Sequence, residues 1–391
     1  MRNSVVIPTT VLVAGALFMI ACSDSSTPAE PAGTGGSTST GGGAAGMGGG
    51  TGGSTGGTSG TPDGGAVKVS LITKEAGNPF FAKMIEGAQS EAMLKGATVN
   101  ATTATTNAEQ VTAITTALAA GTKGILIVAA DTTAIVPTIT EARKTALVIA
   151  LDTPTDPQDA TDALFATDNR QAGKLIGQYA KAALAAKDAG APKIVTLDGP
   201  VGLTVSDLRH AGFTEGFGIP DGGPSIVCQK PTMGSQATGQ AAMDACLAMS
   251  RDVNIIYTVN EPVAAGAYAS LVAAGIDPRG VIIVSVDGGC AGVADVKAGK
   301  IAATSQQYPL KMASLGVDAV VDFVRNGTRV SGYTDTGVNL ISDVAQTGVT
   351  SKDTVFGLAN CWGTVPDGGT PGGDSGNPGD SGNPGDSGNG G

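Results

Sequence analysis

The chain has 391 residues, with 34 acidic and 23 basic side chains that give a formal net charge of −11. Since no basic run interrupts this acidic balance, the composition argues against a nucleic-acid partner or an anionic membrane surface as the binding target. One histidine and five cysteines without zinc-site spacing predict no metal, and nothing in the sequence predicts a cofactor.

The first 22 residues predict an export signal. Arg2 and the amino terminus form its positive end, and the apolar run from Val11 to Ala21 is shorter than the ~20 residues that span a bilayer. The next feature, Met19-Ile20-Ala21-Cys22, resembles the lipobox of bacterial lipoproteins, whose cysteine is lipidated and becomes the new amino terminus. The resemblance implies export to the cell envelope or periplasm and a membrane anchor on Cys22. The alternative is an ordinary cleaved signal.

Low-complexity segments flank the foldable part of the chain. Residues 23–65 are nearly all Gly, Ser, Thr, Ala and Pro, and residues 363–391 repeat the unit DSGNPG. Neither composition buries enough apolar surface to offset its ordering entropy, so both are predicted to be disordered, the first as a tether. Residues 66–362 remain as a folded domain of about 300 residues, enough for two lobes.

Within residues 66–362, short apolar, β-branched runs alternate with segments whose apolar residues have helical spacing, such as Val111, Ile114 and Leu118. This alternation is typical of an α/β fold with parallel sheets covered on both faces. Two sheets of about five or six strands fit the count better than one sheet of about ten. The predicted strands are Val67–Ile72, Thr98–Ala101, Gly124–Val128, Ala146–Leu151, Lys193–Leu197, Ser225–Cys228, Asn254–Tyr257, Val281–Val286 and Ile301–Thr304.

Polar side chains follow four of these strands, at the carboxyl ends where open parallel sheets bind ligands. They are Asn78, Asp152, Asn260 and Asp287. Such a set suits a polyol, because each hydroxyl both donates and accepts and each Asp or Asn engages two hydroxyls. Phe80 and Phe81 could supply an apolar face for the C–H side of a sugar ring.

Each of these residues also has an ordinary structural explanation. Asp and Asn after a strand often cap the next helix, and Asn78 followed by Pro79 has the pattern of a cap with proline in the first turn. Adjacent phenylalanines are more often core residues than a ligand platform. The four strand ends together favour a binding site, because capping alone does not require all of them at one cleft.

Seven motifs, in order, resemble the type I periplasmic sugar-binding proteins, the group that includes ribose-binding protein. They are GNPFF at Gly77–Phe81, ALD ending at Asp152, TDNRQAG at Thr167–Gly173, LRHAGF at Leu208–Phe213, TVNEPVAAGA at Thr258–Ala267, VSVDG ending at Gly288 and IAATSQQYP at Ile301–Pro309. The resemblance implies two Rossmann-like lobes, each a parallel sheet flanked by helices. It also implies ligand contacts from Asn78, Phe80, Phe81, Asp152, Asn260, Asp287 and Gln307.

The same resemblance implies that the chain crosses between the lobes three times, near Thr167, Gln307 and Tyr333, which form the hinge. One lobe would contain residues of about 66–167 and 308–333, and the other residues of about 168–307 and 334–362.

The chain departs from the ribose-binding pattern at three positions. Thr153 and Asp207 stand where ribose binders have arginines, although Arg209 is retained, and the place of a third stacking aromatic falls near Met233. The missing cations and ring argue against ribose. Together with the strand-end aspartates Asp152 and Asp287, Asp207 would leave the cleft more negative than in ribose binders. A larger or less acidic polyol, another pentose or hexose, and a cationic solute are the alternatives.

Four cysteines besides the lipobox cysteine fit two disulfides in an oxidising compartment. Of the three pairings, Cys228 with Cys246 is favoured because the two flank one predicted strand–helix step. Cys290 with Cys361 would then tie down the carboxyl end.

The implied activity is binding: contacts from both lobes favour a closed state, which the hinge permits in a monomer. A permease of the ABC class would recognise the closed state and import the solute. The alternative is that a membrane sensor or chemoreceptor recognises it. An enzyme is disfavoured because no HExxH, P-loop or Ser-His-Asp order accompanies His210, expected to face solvent or pack between lobes. A repressor would need a basic helix-turn-helix before Val67, where the glycine-rich segment lies.

Overall fold

The computed structural model describes residues 66–364, which form two α/β lobes, each built on a six-stranded sheet. The predicted export signal, Cys22, the tether and residues 365–391 of the tail lie outside the described residues. No helix between residues 66 and 364 is long and apolar enough to cross a membrane.

The sheet of the first lobe is entirely parallel, with strand order β11-β5-β4-β3-β1-β2. Its strands are β1 (Val67–Thr73), β2 (Ala97–Thr103), β3 (Gly124–Ile127), β4 (Leu147–Leu151), β5 (Ala163–Ala166) and β11 (Gly332–Asp335). Its helices are α1 (Pro79–Leu94), α2 (Asn107–Ala119), α3 (Val136–Ala142) and α9 (Pro309–Asn326). Strands β3 and β4 are buried along their whole length, as expected for a parallel sheet covered on both faces.

The sheet of the second lobe has the order β12-β10-β9-β8-β6-β7, and only its edge strand β12 is antiparallel. Its strands are β6 (Ile194–Asp198), β7 (Ile226–Pro231), β8 (Ile255–Thr258), β9 (Ile282–Asp287), β10 (Ala303–Gln306) and β12 (Asn339–Ile341). Its helices are α4 (Asn169–Ala186), α5 (Thr204–Phe217), α6 (Gln236–Met249), α7 (Glu261–Ala273), α8 (Cys290–Lys297) and α10 (Thr354–Ala359).

The predicted fold class is confirmed, and every predicted strand is present within a few residues of its expected bounds. The sequence patterns missed β5, β11 and β12. Strand β5 has only four residues, and β11 is a polar, exposed edge strand, so neither produces a long apolar run. Strand β12 has three residues and pairs antiparallel to β10.

The chain passes between the two sheets after β5, after β10 and after β11. The first two crossings lie at the predicted positions, near Thr167 and Gln307. The third follows Asp335, close to Tyr333, which itself pairs with Leu164 inside the first sheet. Thr334 and Asp335 therefore belong to the first lobe.

Two disulfides join Cys228 to Cys246 and Cys290 to Cys361, which is the pairing that the sequence favours. The first links β7 to α6, and the second links the start of α8 to the segment after α10. Both therefore anchor in the second lobe.

Helices α4 and α5 approach each other so closely that their contact contains glycine on both sides. A Cβ atom added to Gly173 would lie 2.0 Å from the carbonyl oxygen of Arg209, and one added to Gly212 would lie 2.0 Å from that of Arg170. No side chain fits in this space, so glycine sets the helix separation. The separation in turn fixes the position of α5 and of its residue Arg209, whose side chain lines the cavity between the lobes.

Replacing Gly173 by alanine is expected to lower the free energy of unfolding by about 2 to 3 kcal/mol, because the added methyl group forces the helices apart. Gly280→Ala is the matched control, since a Cβ atom there meets no atom within 4 Å. The control should change the free energy by less than about 0.5 kcal/mol in urea denaturation. Equal stability of the two variants would contradict the close contact.

Candidate ligand-binding cleft

A cavity of about 380 Å³ lies at the carboxyl ends of the strands and takes its lining from both lobes. From the first lobe it is lined by Lys74, Glu75, Asn78, Phe80, Phe81, Thr105, Ala130 and Asp152. From the second lobe and the second crossing it is lined by Gly199, Pro200, Leu203, Val205, Ser206, Arg209, Met233, Gly234, Val259, Asn260, Asp287 and Gln307. This is the edge at which parallel sheets bind ligands.

The structure brings eight of the ten predicted ligand-binding residues to this cavity: Asn78, Phe80, Phe81, Asp152, Arg209, Asn260, Asp287 and Gln307. Thr153 and Asp207 do not line it. Thr153 is fully buried behind Asp152, and Asp207 lies exposed on α5. From the same helix, Ser206 and Arg209 supply the side chains that line the cavity instead.

Strands β4 and β9 both lead into an aspartate with a positive φ angle. Asp152 has φ 62° and Asp287 has φ 143°, a region that non-glycine residues rarely occupy. Backbone hydrogen bonds hold both positions: the Asp152 amide donates to Phe165 O at 3.0 Å, and the Gln307 amide donates to Asp287 O at 2.9 Å. Strain that the surrounding structure maintains in this way is typical of functional sites.

In the first lobe, Asp152 is paired with a partly buried lysine. The Lys74 ammonium lies 3.9 Å from Asp152 Oδ2 and donates to Thr153 Oγ1 at 2.7 Å, and Thr153 donates to Asp152 Oδ2 at 2.8 Å. Burial lowers the pKa of Lys74, although the nearby Asp152 carboxylate opposes that shift. Thr153 thus acts behind the cavity by orienting both charged groups.

Lys74 was not predicted as a site residue. Its signal was present, because Lys74 directly follows Thr73, the last residue of β1, at the same sheet edge as the predicted aspartates. A lysine in a loop is usually solvated, however, and the sequence does not show where so flexible a side chain points.

In the second lobe, Asp287 is paired with Arg209. The Arg209 Nη1 atom lies 3.5 Å from Asp287 Oδ1 and donates to Val259 O at 2.8 Å. The Nε atom of the same guanidinium donates to Asn169 Oδ1 at 2.8 Å. The side-chain amide of Gln307 donates from Nε2 to Asp287 Oδ1 at 2.9 Å. Burial raises the pKa of Asp287 to about 7; Arg209 opposes this shift, and Asp152 adds to it.

The cleft is less acidic than the predicted residues alone imply. Two cations, Lys74 and Arg209, line the cavity beside the three acids Glu75, Asp152 and Asp287. Each strand-end carboxylate has a cation within 4 Å. The prediction overstated the negative charge because it counted Asp207, which lies outside the cavity, and omitted Lys74.

Asn78 and Asn260 serve as helix caps and also line the cavity. Asn78 Oδ1 accepts from the Phe80 amide at 3.0 Å, and Asn260 Oδ1 accepts from the Val263 amide at 3.2 Å. Their amide groups also donate, Asn78 to Glu75 and Asn260 to Gly234 O. The two readings of these residues are therefore compatible, and the caps fix the amides at the edge of the cavity.

The two phenylalanines are likewise both core and cavity residues. Phe80 and Phe81 are each 4% exposed, and their rings meet edge to face with centroids 5.3 Å apart. Such a pair presents a rigid apolar wall to the cavity.

A buried glutamate that the sequence analysis did not single out supports the Asp287 turn. Glu261 accepts from the amides of Gly288 at 2.8 Å and Gly289 at 3.0 Å, and from Thr304 Oγ1 at 2.7 Å. Burial, together with the Asp287 charge, raises the pKa of Glu261 to about 8. The glutamate holds the backbone after β9 from behind the cavity.

His210 lies outside the cavity lining. Its ring nitrogens lie 2.7 Å from Asp198 Oδ1 and 3.0 Å from Asp221 Oδ1. Burial lowers the pKa of His210, but the two aspartates outweigh burial and raise it overall. Within residues 66–364, no group of three His, Cys, Asp or Glu side chains is arranged to hold a metal ion.

The raised pKa values of Asp287 and Glu261 predict that stability falls as the pH rises. Between about pH 4 and 7 the folded protein keeps protons that the unfolded chain has released. Each unit by which the pH rises in this range therefore lowers the free energy of unfolding. His210, with its raised pKa, acts in the same direction above about pH 6.5. We expect the melting temperature of the unliganded protein to fall from about pH 5 to 8.

Asp287→Asn should flatten this dependence, whereas Asp207→Asn, at an exposed position, should leave it unchanged. Circular dichroism melts at matched ionic strength measure both slopes. If Asp287→Asn kept the slope of the unmodified protein, Asp287 would not retain its proton in the fold.

Comparison with known proteins agrees with this architecture. A family model described as a periplasmic binding protein domain matches residues 69–328. The ribose import binding protein of Salmonella typhimurium is 28% identical over 275 residues, which cover 70% of this chain and 90% of that protein.

Solved structures agree in fold. The myo-inositol binding protein of Caulobacter has a TM-score of 0.65 and 22% identity, covering 72% of this chain and 95% of its own. A carbohydrate transporter solute-binding protein of Agrobacterium radiobacter, in complex with D-arabinose, has a TM-score of 0.66 and 21% identity, covering 73% and 97%. With two sheets that share one cleft and a family match over more than half of its length, the chain belongs to the periplasmic binding protein family.

Proposed function

We propose that the chain is an extracytoplasmic solute-binding lipoprotein that binds a neutral sugar or related polyol between its lobes and delivers it to an ABC importer. The observation that carries the proposal is the cavity itself, in which each lobe contributes one carboxylate with a cation beside it. Relatives of this chain carry the names of ribose and other carbohydrate binders, which supports the same ligand class.

The paired charges favour a neutral ligand with several hydroxyls over a cationic solute. A cation entering the cavity would meet Lys74 and Arg209 as well as the acids. A hydroxyl can donate to a carboxylate and accept from the adjacent ammonium or guanidinium, so each pair presents a donor beside an acceptor. Phe80 and Phe81 add the apolar wall that suits the C–H face of a sugar ring.

Closure follows from the placement of these groups on different lobes. A ligand that contacts Asp152 and Asp287 at once binds best when the lobes approach, so it shifts the population toward the closed state. The three crossings near the cleft are the segments that bend. The closed shape is what a permease would recognise, and a lipid on Cys22 with the glycine-rich tether would keep the receptor at the membrane.

A thermal-shift screen tests the ligand class. The purified protein is measured with monosaccharides, polyols and small amines, and a neutral sugar or polyol should raise the melting temperature. A ligand at 100 times its dissociation constant adds about 2.7 kcal/mol to the free energy of unfolding. Stabilisation by amines alone would overturn the proposed ligand class.

Asp287→Ala and Asn78→Ala should each abolish stabilisation by whichever sugar the screen identifies, because each removes a polar group from the cavity lining. Asp207→Ala is the control, because Asp207 is exposed outside the cavity. Isothermal titration calorimetry on folded variants measures the loss. Unchanged affinity in both cavity variants would remove the site assignment.

Lys74→Met should weaken the binding of a neutral sugar by about tenfold or more, since it removes a donor and leaves Asp152 buried without its cation. For a cationic ligand the same substitution should tighten binding, because it removes a like charge. Lys68→Met, at an exposed lysine on β1, is the matched control. The sign of the change in calorimetry therefore distinguishes the two ligand classes.

A further inference from the structure

Trp362 is the only tryptophan of the chain and lies where the two lobes meet. Its side chain is 7% exposed and belongs to the apolar cluster of the first lobe, together with Phe80 and Met84. Its backbone, however, belongs to the segment that follows α10 in the second lobe. One residue therefore connects both lobes.

The second lobe holds the backbone of this segment in two ways. Cys361, the preceding residue, forms a disulfide with Cys290 at the start of α8. The Cys290 amide also donates to Trp362 O at 2.9 Å. Helix α10 packs on the same lobe, since a Cβ atom added to Gly357 would lie 2.8 Å from Val293. The segment thus cannot leave the second lobe while the disulfide is intact.

The first lobe holds the indole ring by packing. The ring meets Phe80 edge to face, with centroids 5.2 Å apart and planes at 79°. The ring also lies close to the second lobe, since a Cβ atom added to Gly289 would lie 3.3 Å from it. Within the described residues the indole Nε1 has no hydrogen-bond partner, so separating the ring from the first lobe breaks no hydrogen bond.

We propose that Cys361 and Trp362 form an interlobe clasp that biases the cleft toward closure and positions Phe80. When the cleft opens, Phe80 and Gly289 move apart, and the disulfide prevents the segment from following the first lobe. The indole must then leave Phe80 and become exposed. Because Phe80 also lines the cavity, the clasp acts on the binding wall as well as on the closure equilibrium.

This inference goes beyond the proposed function, and its principal test needs no ligand. The fluorescence of the single tryptophan reports the clasp directly in the purified full chain. Cys290→Ser/Cys361→Ser should shift the emission to longer wavelength and increase quenching by acrylamide at least about twofold, because the freed segment follows the first lobe, no longer holds the ring against Gly289, and lets that part of the indole meet water. Cys228→Ser/Cys246→Ser is the matched control, since it removes a disulfide within the second lobe.

The control should keep the emission of the unmodified protein. If both double variants fold, as judged by circular dichroism, and both keep that emission, the disulfide does not hold the indole and the proposal fails. A shift of equal size in both variants would also overturn it, since it would reflect general loosening of the second lobe.

Small-angle X-ray scattering of the unliganded protein tests the effect on closure. Trp362→Leu should increase the radius of gyration, whereas Phe213→Leu, which removes an aromatic ring from the core of the second lobe alone, should not. If Trp362→Leu does not fold, the Cys290→Ser/Cys361→Ser variant carries the same comparison. An unchanged radius would show that the indole fills space without biasing closure.

If a sugar binds in the thermal-shift screen, the clasp also predicts its kinetics. Loss of one edge-to-face aromatic contact should weaken binding by about three- to tenfold in Trp362→Leu. The change should lie mainly in a faster dissociation rate, since opening then becomes easier. A ligand screen without hits would count against the proposed function and leave the fluorescence and scattering results decisive for the clasp.

Discussion

A carboxylate is costly to bury unless a cation or several hydrogen bonds accompany it, and the cleft places a cation beside one carboxylate in each lobe. Lys74 accompanies Asp152, and Arg209 accompanies Asp287. Each partner comes from a different element of the same lobe, so each lobe completes its half of the site before closure. The ligand therefore meets two finished half-sites rather than creating them.

The fold and most of the cleft could be predicted from the sequence because both follow from the strand pattern. Apolar runs predicted the strands, and the residues after them had to share one edge of the sheet, where Asp152 and Asp287 line the cavity. Lys74 also follows a strand directly but was missed, because the sequence does not show where a long side chain in a loop points. Asp207 was predicted as a cavity residue from its place in a motif, but its side chain is exposed on α5 and does not line the cavity.

The structural and functional explanations of the strand-end residues proved compatible. Asn78 and Asn260 cap their helices and line the cavity with the same side chains, so the fold itself fixes the amides. Glu261 has a comparable role one layer deeper, where it fixes the turn that follows Asp287. Such support was not predictable, because a glutamate at the start of a helix is ordinarily solvated.

Both disulfides lie in the second lobe, and the described part of the first lobe contains no cysteine. Covalent reinforcement is therefore unequal between two halves of similar architecture. The first lobe has no disulfide of its own within the described residues, whereas the covalent links of the second lobe depend on the oxidising power of its surroundings. The redox state of the surroundings therefore acts on the covalent structure of the second lobe alone.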